Sequence, residues 1–118
     1  MNASILRRVI VTSAFMLAFA ASLSTPSPAA LAFQQSTKSL YASKCAVCHG
    51  NDGTGNTAKG KELKVQSFAS PEFKKLPDAK ALEIMLKGKG KMEGYEKTLG
   101  KDKCVELLAY CRELSNKQ

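Results

Sequence analysis

The sequence lacks several features that are typical of common classes of protein. It has a single histidine, His49, which excludes any site that takes two imidazoles from this chain. No apolar run reaches the roughly 20 residues that span a bilayer. No stretch alternates apolar and polar residues for long enough to indicate a sheet. These absences favour an all-α domain without a transmembrane span.

The first 32 residues have the layout of a secretory signal rather than of a folded segment. Arg7 and Arg8 precede an uncharged, mostly apolar run, and a polar stretch broken by proline follows. Ala30 and Ala32 are the small residues that a signal peptidase inspects, so we expect cleavage after Ala32. An uncleaved membrane anchor is the alternative, which the short apolar run disfavours. The expected mature chain is one small domain, residues 33–118, which is periplasmic or otherwise exported.

Arginine is scarce in the expected mature chain. Loss of Arg7 and Arg8 leaves 16 of the 18 Lys and Arg residues against 10 Asp and Glu, which is a net charge of +6. All of these positive residues except Arg112 are lysines, which suit long-range attraction better than bidentate phosphate recognition. No Lys run is interleaved with aromatics, so nucleic acid is not expected as a partner. An acidic protein or an anionic membrane surface fits better.

Four helices are predicted in the mature region, at about Ser36–Cys48, Ser70–Leu76, Asp78–Gly88 and Lys101–Ser115. Leu40 and Tyr41 are expected to face inward from the first helix. Ser70 and Asp78 are expected to cap the second and third, and Gly88 to end the third. The apolar stripe of the last helix is expected to be Val105, Leu108 and Cys111, with Leu107, Tyr110 and Leu114 alongside.

Cys45, Cys48 and His49 form a Cys-x-x-Cys-His motif at the end of the first predicted helix. Two thiols at this spacing can bond the two vinyl groups of a haem, and the imidazole that follows can ligate its iron. A six-coordinate iron would need another donor such as Met, because no second histidine exists. Met85 belongs to the apolar stripe of the third helix, which leaves Met92 in the Gly-rich loop of residues 87–95.

Three other interpretations of the cysteines remain open at this point. A thioredoxin-like redox pair would need strand and helix surroundings that the pattern does not show. A zinc site could draw on Cys104 and Cys111, although these are seven apart on a predicted helix. A plain disulfide framework would leave His49 unexplained.

On a helix, Cys104 and Cys111 lie about 10.5 Å apart and cannot pair. Cys111 is expected to be buried, whereas Cys104, near the predicted helix start, is expected to be accessible.

The chain resembles a small class I cytochrome c of the bacterial periplasmic monohaem type. The resemblance covers nearly all of Ser36–Leu114. It is carried by Leu40-Tyr41, Lys44-Cys45-Ala46-Val47-Cys48-His49-Gly50, Asp52-Gly53-Thr54-Gly55, Gly60-Lys61 with Leu63, Lys87-Gly88-Lys89-Gly90-Lys91-Met92, and Leu107-Leu108-Ala109-Tyr110-Cys111-Arg112-Glu113-Leu114. It implies a cytochrome c fold in which four short helices wrap one covalently attached haem c. It also implies that Met92 is the distal iron ligand and that Tyr41 and Tyr110 lie near a helix crossing.

The chain departs from this family at several positions. Glu93 follows Met92 where the family usually has Pro, which leaves the loop less restrained and places a carboxylate near the iron. Thr37 stands where Gly is common at the helix crossing, which would widen the crossing. Ala58 stands where a Pro commonly offers the carbonyl that orients the proximal histidine. Cys104 has no recognised counterpart, and neither has Cys111.

The expected function is one-electron transport by a soluble monomeric carrier, with no substrate chemistry on the protein. Redox proteins with acidic docking surfaces are the expected partners. Seven lysines close in sequence to the haem-binding segments are candidates for steering them, namely Lys44, Lys59, Lys61, Lys87, Lys89, Lys91 and Lys97. A generally solvated basic surface is the competing interpretation of the same residues. The alternative function is a catalytic or ligand-binding haem protein with an open distal position.

Overall fold

Helices account for nearly all the regular structure of this chain. The computed structural model describes residues 25–118, and the helices are α1 (Pro28–Lys44), α2 (Ala46–His49), α3 (Ala58–Leu63), α4 (Pro71–Lys75), α5 (Asp78–Lys87) and α6 (Glu96–Asn116). Within this range the only extended pairing is one antiparallel bridge between Lys89 and Met92. The predicted all-α fold class is therefore confirmed, although the described residues contain six helices rather than four.

The predicted signal segment is only partly covered by these residues. Residues 1–24 lie outside the described part of the chain, and cleavage after Ala32 stays a prediction. None of the helices within residues 25–118 is long and apolar enough to cross a membrane. Leu31–Gln118 forms one compact unit.

The first predicted helix differs from the observed one at both ends. α1 starts at Pro28, where the backbone N–H of Ala30 donates to the Ser27 hydroxyl at 3.2 Å. A capping serine followed by proline is a start signal, so this Pro-containing stretch begins a helix. At the other end the helix breaks at Cys45 instead of continuing to Cys48.

The helices α4 and α5 begin in different ways. The Ser70 hydroxyl accepts from the Phe73 N–H at 3.2 Å, and Pro71 occupies the first turn of α4, as predicted. Asp78 was expected to cap α5, but Pro77 stands at the cap position and Asp78 is already helical. Its carboxylate is used elsewhere, in an ion pair with Arg112.

The prediction for the first buried residue of α6 was wrong by one position: Val105 was expected to face inward, and Cys104 does so instead. α6 begins at Glu96 and is kinked at Gly100, which has φ of 76° and ψ of 166°. The regular helix resumes after this kink at Lys101, the predicted start, and Cys104 lies in its first turn. Cys104 is nevertheless 0% exposed, which corrects the expectation that it is accessible. Val105, expected in the apolar stripe, is 47% exposed. The buried residues of α6 are Cys104, Leu107, Leu108, Cys111, Leu114 and Ser115.

The core lies mainly between α5 and α6, and α1 joins it through side chains. Ala81 and Met85 of α5 are buried against this face of α6. The ring of Tyr41, 1% exposed, meets Tyr110 edge-on with centroids 5.1 Å apart. Thr37 is buried on the same side of α1, where its hydroxyl donates to Glu106 at 3.5 Å. The expected contact between the first and last helices is thus present.

Arg112 of α6 forms hydrogen bonds with the segment between α4 and α5. Its guanidinium donates to the backbone carbonyls of Phe73 and Leu76 and to the Asp78 carboxylate. It also lies 4.5 Å from the centroid of the Phe73 ring. A planar guanidinium can satisfy several acceptors in a fixed geometry, which a lysine ammonium cannot. This one side chain therefore closes the bend that leads into α5.

Replacing Arg112 by Ala should lower the free energy of unfolding by about 2 kcal/mol, because two half-buried carbonyls lose their donors. Arg112→Lys should recover only part of this loss. Asp78→Ala, which removes a 76% exposed partner, should cost less than about 1 kcal/mol. Chemical unfolding of the purified protein followed by circular dichroism measures all three. An equal loss in Asp78→Ala and Arg112→Ala would show that the ion pair, rather than the carbonyl bonds, holds the bend.

Candidate functional site

The Cys-x-x-Cys-His motif folds as a single turn at the break after α1. The carbonyl of Cys45 accepts from the N–H groups of Cys48 at 3.2 Å and His49 at 2.9 Å. This turn brings the two thiols and the imidazole, which sequence analysis predicted as one site, into one short segment. Both cysteines and His49 are half-buried, whereas Val47 between them is 65% exposed. The segment therefore has one side toward the protein and one edge toward solvent.

The carbonyls of this turn are bound by the loop that follows it. The Thr57 hydroxyl donates to the carbonyl of Val47 at 2.8 Å and to that of Cys48 at 3.2 Å. The same hydroxyl accepts from the N–H of Gly60 and so starts α3, a helix that sequence analysis missed. A Cβ at Gly60 would lie 2.4 Å from the Cys48 carbonyl oxygen. Only glycine lets α3 pack this closely against the motif.

A buried tyrosine holds the end of the motif. The hydroxyl of Tyr41 donates to the carbonyl of Gly50 at 2.7 Å. Burial is the main cause that raises the pKa of Tyr41 above its usual range, so the hydroxyl keeps the proton that it donates. Gly50 itself has φ of 78°, a backbone conformation that glycine adopts without strain. The chain can therefore turn away directly after His49.

The imidazole of His49 is oriented by an aromatic ring that sequence analysis did not single out. The rings of His49 and Phe68 stack with centroids 4.8 Å apart and an angle of 22°. Burial lowers the pKa of His49, which favours the neutral form that ligates metals. Its Nδ1 is buried and has no hydrogen-bond partner among the described residues. The backbone carbonyl expected to orient this ring, at Ala58 or elsewhere, does not bind it here.

Phe68 is held from two sides by backbone hydrogen bonds. Its N–H donates to the carbonyl of Gly53 at 2.9 Å, and its carbonyl accepts from the buried Ser115 hydroxyl at 2.6 Å. A Cβ on Gly53 would lie 2.5 Å from the Phe68 ring. The backbone at Gly53 and the end of α6 thus fix the ring on which His49 stacks.

Met92 lies at the end of a tight turn between α5 and α6. The backbone groups of Lys89 and Met92 exchange two hydrogen bonds, both of 3.0 Å, and Gly90 between them has φ of 61°. The Met92 side chain is half-buried and packs against the core cluster that Cys45 also contacts. Met85 is 8% exposed in that core, as predicted. That Met92 is the distal ligand stays a prediction.

The chemistry of the thiols bears on the alternatives raised by the sequence. Burial, and then the neighbouring thiols of Cys104 and Cys48, raises the pKa of Cys45 to about 11. A thioredoxin-like redox pair needs the opposite shift, toward a thiolate. All four cysteines of the chain are free thiols, and residues 25–118 contain no group of His, Cys, Asp or Glu that could hold a metal ion by itself. The described residues thus show neither a disulfide nor a cluster with enough donors for zinc.

A comparison with protein-family models decides the family. The family model that describes cytochrome C oxidase, cbb3-type, subunit III matches residues 32–110, which is more than half of the chain. The chain belongs to this family of cytochrome c domains. A comparison with curated proteins finds no match. The resemblance to a class I cytochrome c is confirmed, and the family implies haem c as the cofactor and redox proteins as partners.

The residues of this cytochrome c domain fit a haem. Cys45 and Cys48 offer two free thiols on one turn, and His49 offers a neutral imidazole beside them. The buried, unpartnered Nδ1 of His49 is a polar atom that the surrounding protein leaves unsatisfied, which is rare unless a site serves a group outside the chain. Cys111, 3% exposed as predicted, and Cys104 belong to the core behind this site.

Replacing Gly53 by Ala should weaken the cytochrome c domain by more than its backbone conformation alone explains. Gly53 and Gly100 have nearly the same φ, 77° and 76°, but a Cβ at Gly100 would meet nothing within 4 Å. Both Ala variants therefore strain the backbone, and only the one at Gly53 displaces Phe68. We expect Gly53→Ala to lower the free energy of unfolding by about 1–3 kcal/mol more than Gly100→Ala, as overpacked sites do. Equal losses in chemical unfolding would mean that Phe68 is not tightly held.

Proposed function

We propose that this cytochrome c domain is a monohaem one-electron carrier. Cys45 and Cys48 would bind one haem through thioethers, and His49 and Met92 would be the proximal and distal iron ligands. The observation that carries the proposal is the single turn on which two free thiols accompany a neutral, half-buried imidazole with an unsatisfied Nδ1. The bound haem supplies the one-electron iron couple.

The protein's part in this function is to hold the ligands and limit access to water. Phe68 orients the face of His49, and the Thr57 hydroxyl binds carbonyls of residues 45–49, the proposed haem-attachment turn. Since the expected distal donor is a side chain of this polypeptide, both axial positions would be filled from one chain. A closed coordination sphere favours electron transfer over substrate chemistry, so we do not expect enzymatic activity from the isolated chain.

We propose that the electron leaves the haem through the exposed edge of the Cys-x-x-Cys-His motif. Val47 is the most exposed apolar side chain of the attachment turn, and the lysines named above as steering candidates are all exposed. Lys59 pairs with Glu62 and Lys87 with Glu83 on their own helices, through exposed side chains. We propose that the lysines around this edge attract redox proteins with acidic docking surfaces. We also propose an exported, monomeric carrier whose signal is removed.

The family description supports a second candidate. It names a subunit of an oxidase, and a cytochrome c domain can deliver electrons to a larger assembly as well as move between partners. The chain would then purify with other subunits rather than alone. Size-exclusion chromatography of material from the native source separates the two candidates. A catalytic or ligand-binding haem protein is the third, and the exposed carboxylate of Glu93 beside Met92 is its main support.

The ferric absorption spectrum tests the proposed ligands. The exported protein should hold one haem per chain that acid extraction does not remove, with a Met-to-iron charge-transfer band. Met92→Leu should abolish the band because it removes the sulfur while keeping the volume. Met85→Leu, a matched change in the core, should retain it and cost less than about 1.5 kcal/mol of stability.

The same spectra can contradict the carrier. High-spin ferric iron in the unaltered protein, with rapid binding of cyanide or carbon monoxide, would favour the ligand-binding alternative. Haem that is removed by acid would contradict the covalent attachment at Cys45 and Cys48.

Charge removal tests the proposed docking edge. Replacing Lys89 and Lys91 together by Gln should slow association with an acidic redox partner roughly tenfold at low ionic strength, and the difference should disappear with added salt. Lys74 and Lys75 of α4 are also exposed, so their double Gln variant makes the same change in net charge. Stopped-flow electron transfer measures both. Equal slowing by the two variants would indicate a diffuse basic surface.

A further inference from the structure

The last carbonyl of α1 loses its helical partner at the break before the haem-attachment turn. In an α-helix the carbonyl of Lys44 would accept from the N–H of Cys48, four residues on. That N–H donates to the Cys45 carbonyl instead, because the motif forms its own turn. The hydroxyl of Tyr95 takes its place and donates to the Lys44 carbonyl at 3.2 Å. A side chain 51 residues away thus binds the residue directly before the first haem cysteine.

Tyr95 is also fixed at its backbone. Its N–H donates to the carbonyl of Met85 at 3.0 Å, near the end of α5, and its ring packs against the core cluster. The residue comes three positions after Met92 and directly before α6. It therefore joins the end of α1, the end of α5 and the loop that carries the expected distal ligand.

The backbone of the rest of that loop makes its hydrogen bonds and close contacts within its own neighbourhood, while the Met92 side chain packs against the core cluster. Lys89 and Met92 bind each other, and Gly94 packs so closely on the end of α5 that a Cβ there would lie 2.5 Å from the Leu86 carbonyl oxygen. These contacts shape the loop and seat it on α5. None of these backbone contacts reaches the haem-attachment turn, whereas the Tyr95 hydroxyl binds the residue directly before it.

We infer that Tyr95 is a positioning residue whose hydroxyl tethers the Met92 loop to the haem-attachment turn. The tether holds the segment that carries His49 and the segment that carries Met92 at a fixed separation. Its role for the iron rests on the function proposed above, in which Met92 is the distal ligand. Its mechanical role, restraint of the loop, does not depend on that assignment.

Tyr95→Phe in the haem-loaded protein tests both roles, because it removes the hydroxyl and keeps the ring. Tyr110→Phe is the matched control, since Tyr110 is also half-buried but contacts Tyr41 at the helix crossing rather than the loop. Amide hydrogen exchange at Lys89 and Met92 reports loop opening whatever ligates the iron. Loss of one hydrogen bond should accelerate it about fivefold in Tyr95→Phe, with little change in Tyr110→Phe. Exchange at Leu107 and Leu108 of α6 corrects for any global loss of stability.

Imidazole binding to the ferric iron reports the second role. If Met92 is the distal ligand, imidazole should bind about fivefold more tightly to Tyr95→Phe than to the unaltered protein, because the ligand loop opens more readily. Faster exchange with no change in imidazole affinity, in a protein without the Met-to-iron band, would support the tether and contradict Met92 as ligand. Exchange at Lys89 and Met92 that matches the Tyr110→Phe control would overturn the tether, whatever the spectrum shows.

Discussion

The proposed haem-attachment turn, residues 45–49, is held by hydrogen bonds supplied from outside it. A helix as short as α2 (Ala46–His49) is not stable by itself, because nucleation fixes several dihedral angles for very few hydrogen bonds. Three side-chain hydroxyls compensate at the ends and along the turn. Tyr95 binds the carbonyl before the turn, Thr57 binds those within it, and Tyr41 binds the one after it. These donors, which lie on three other parts of the chain, help to fix the positions of the two thiols and the imidazole.

The C-terminal helix supports the same turn indirectly. The Ser115 hydroxyl holds the carbonyl of Phe68, and the Phe68 ring stacks on His49. At the same end of α6, Arg112 closes the bend into α5, the helix that precedes the Met92 loop. Cys104 and Cys111 fill the core face of this helix as small apolar residues, in the cluster against which Cys45 packs. The two sides of the proposed coordination sphere are thus both built on α6.

Sequence reasoning predicted the family and the fold class better than the helix boundaries. Ser70 and Pro71 start α4 and Gly88 follows α5 as predicted, since capping depends on a few adjacent residues. The break at Cys45 was missed, because the residues on both sides of it are ordinary helix formers. α3 was missed because Gly60, a poor helix former, sits inside it. Glycine is required at position 60 because the Cys48 carbonyl, twelve positions earlier in the chain, lies too close for a Cβ.

The sequence alone determined the thiol and imidazole motif, the one available pair of methionines in the expected mature chain, the helical character and the basic surface. Each of these depends on residue type and short spacing. Only the tertiary structure decided that Cys104 is buried and Val105 exposed, that Phe68 faces His49, and that Tyr95 binds Lys44. The burial of a side chain and the contacts of Phe68 and Tyr95 depend on residues that are far apart in the chain. These contacts form because buried polar groups must find partners and apolar faces must be covered, which are requirements of the whole fold rather than of any local pattern.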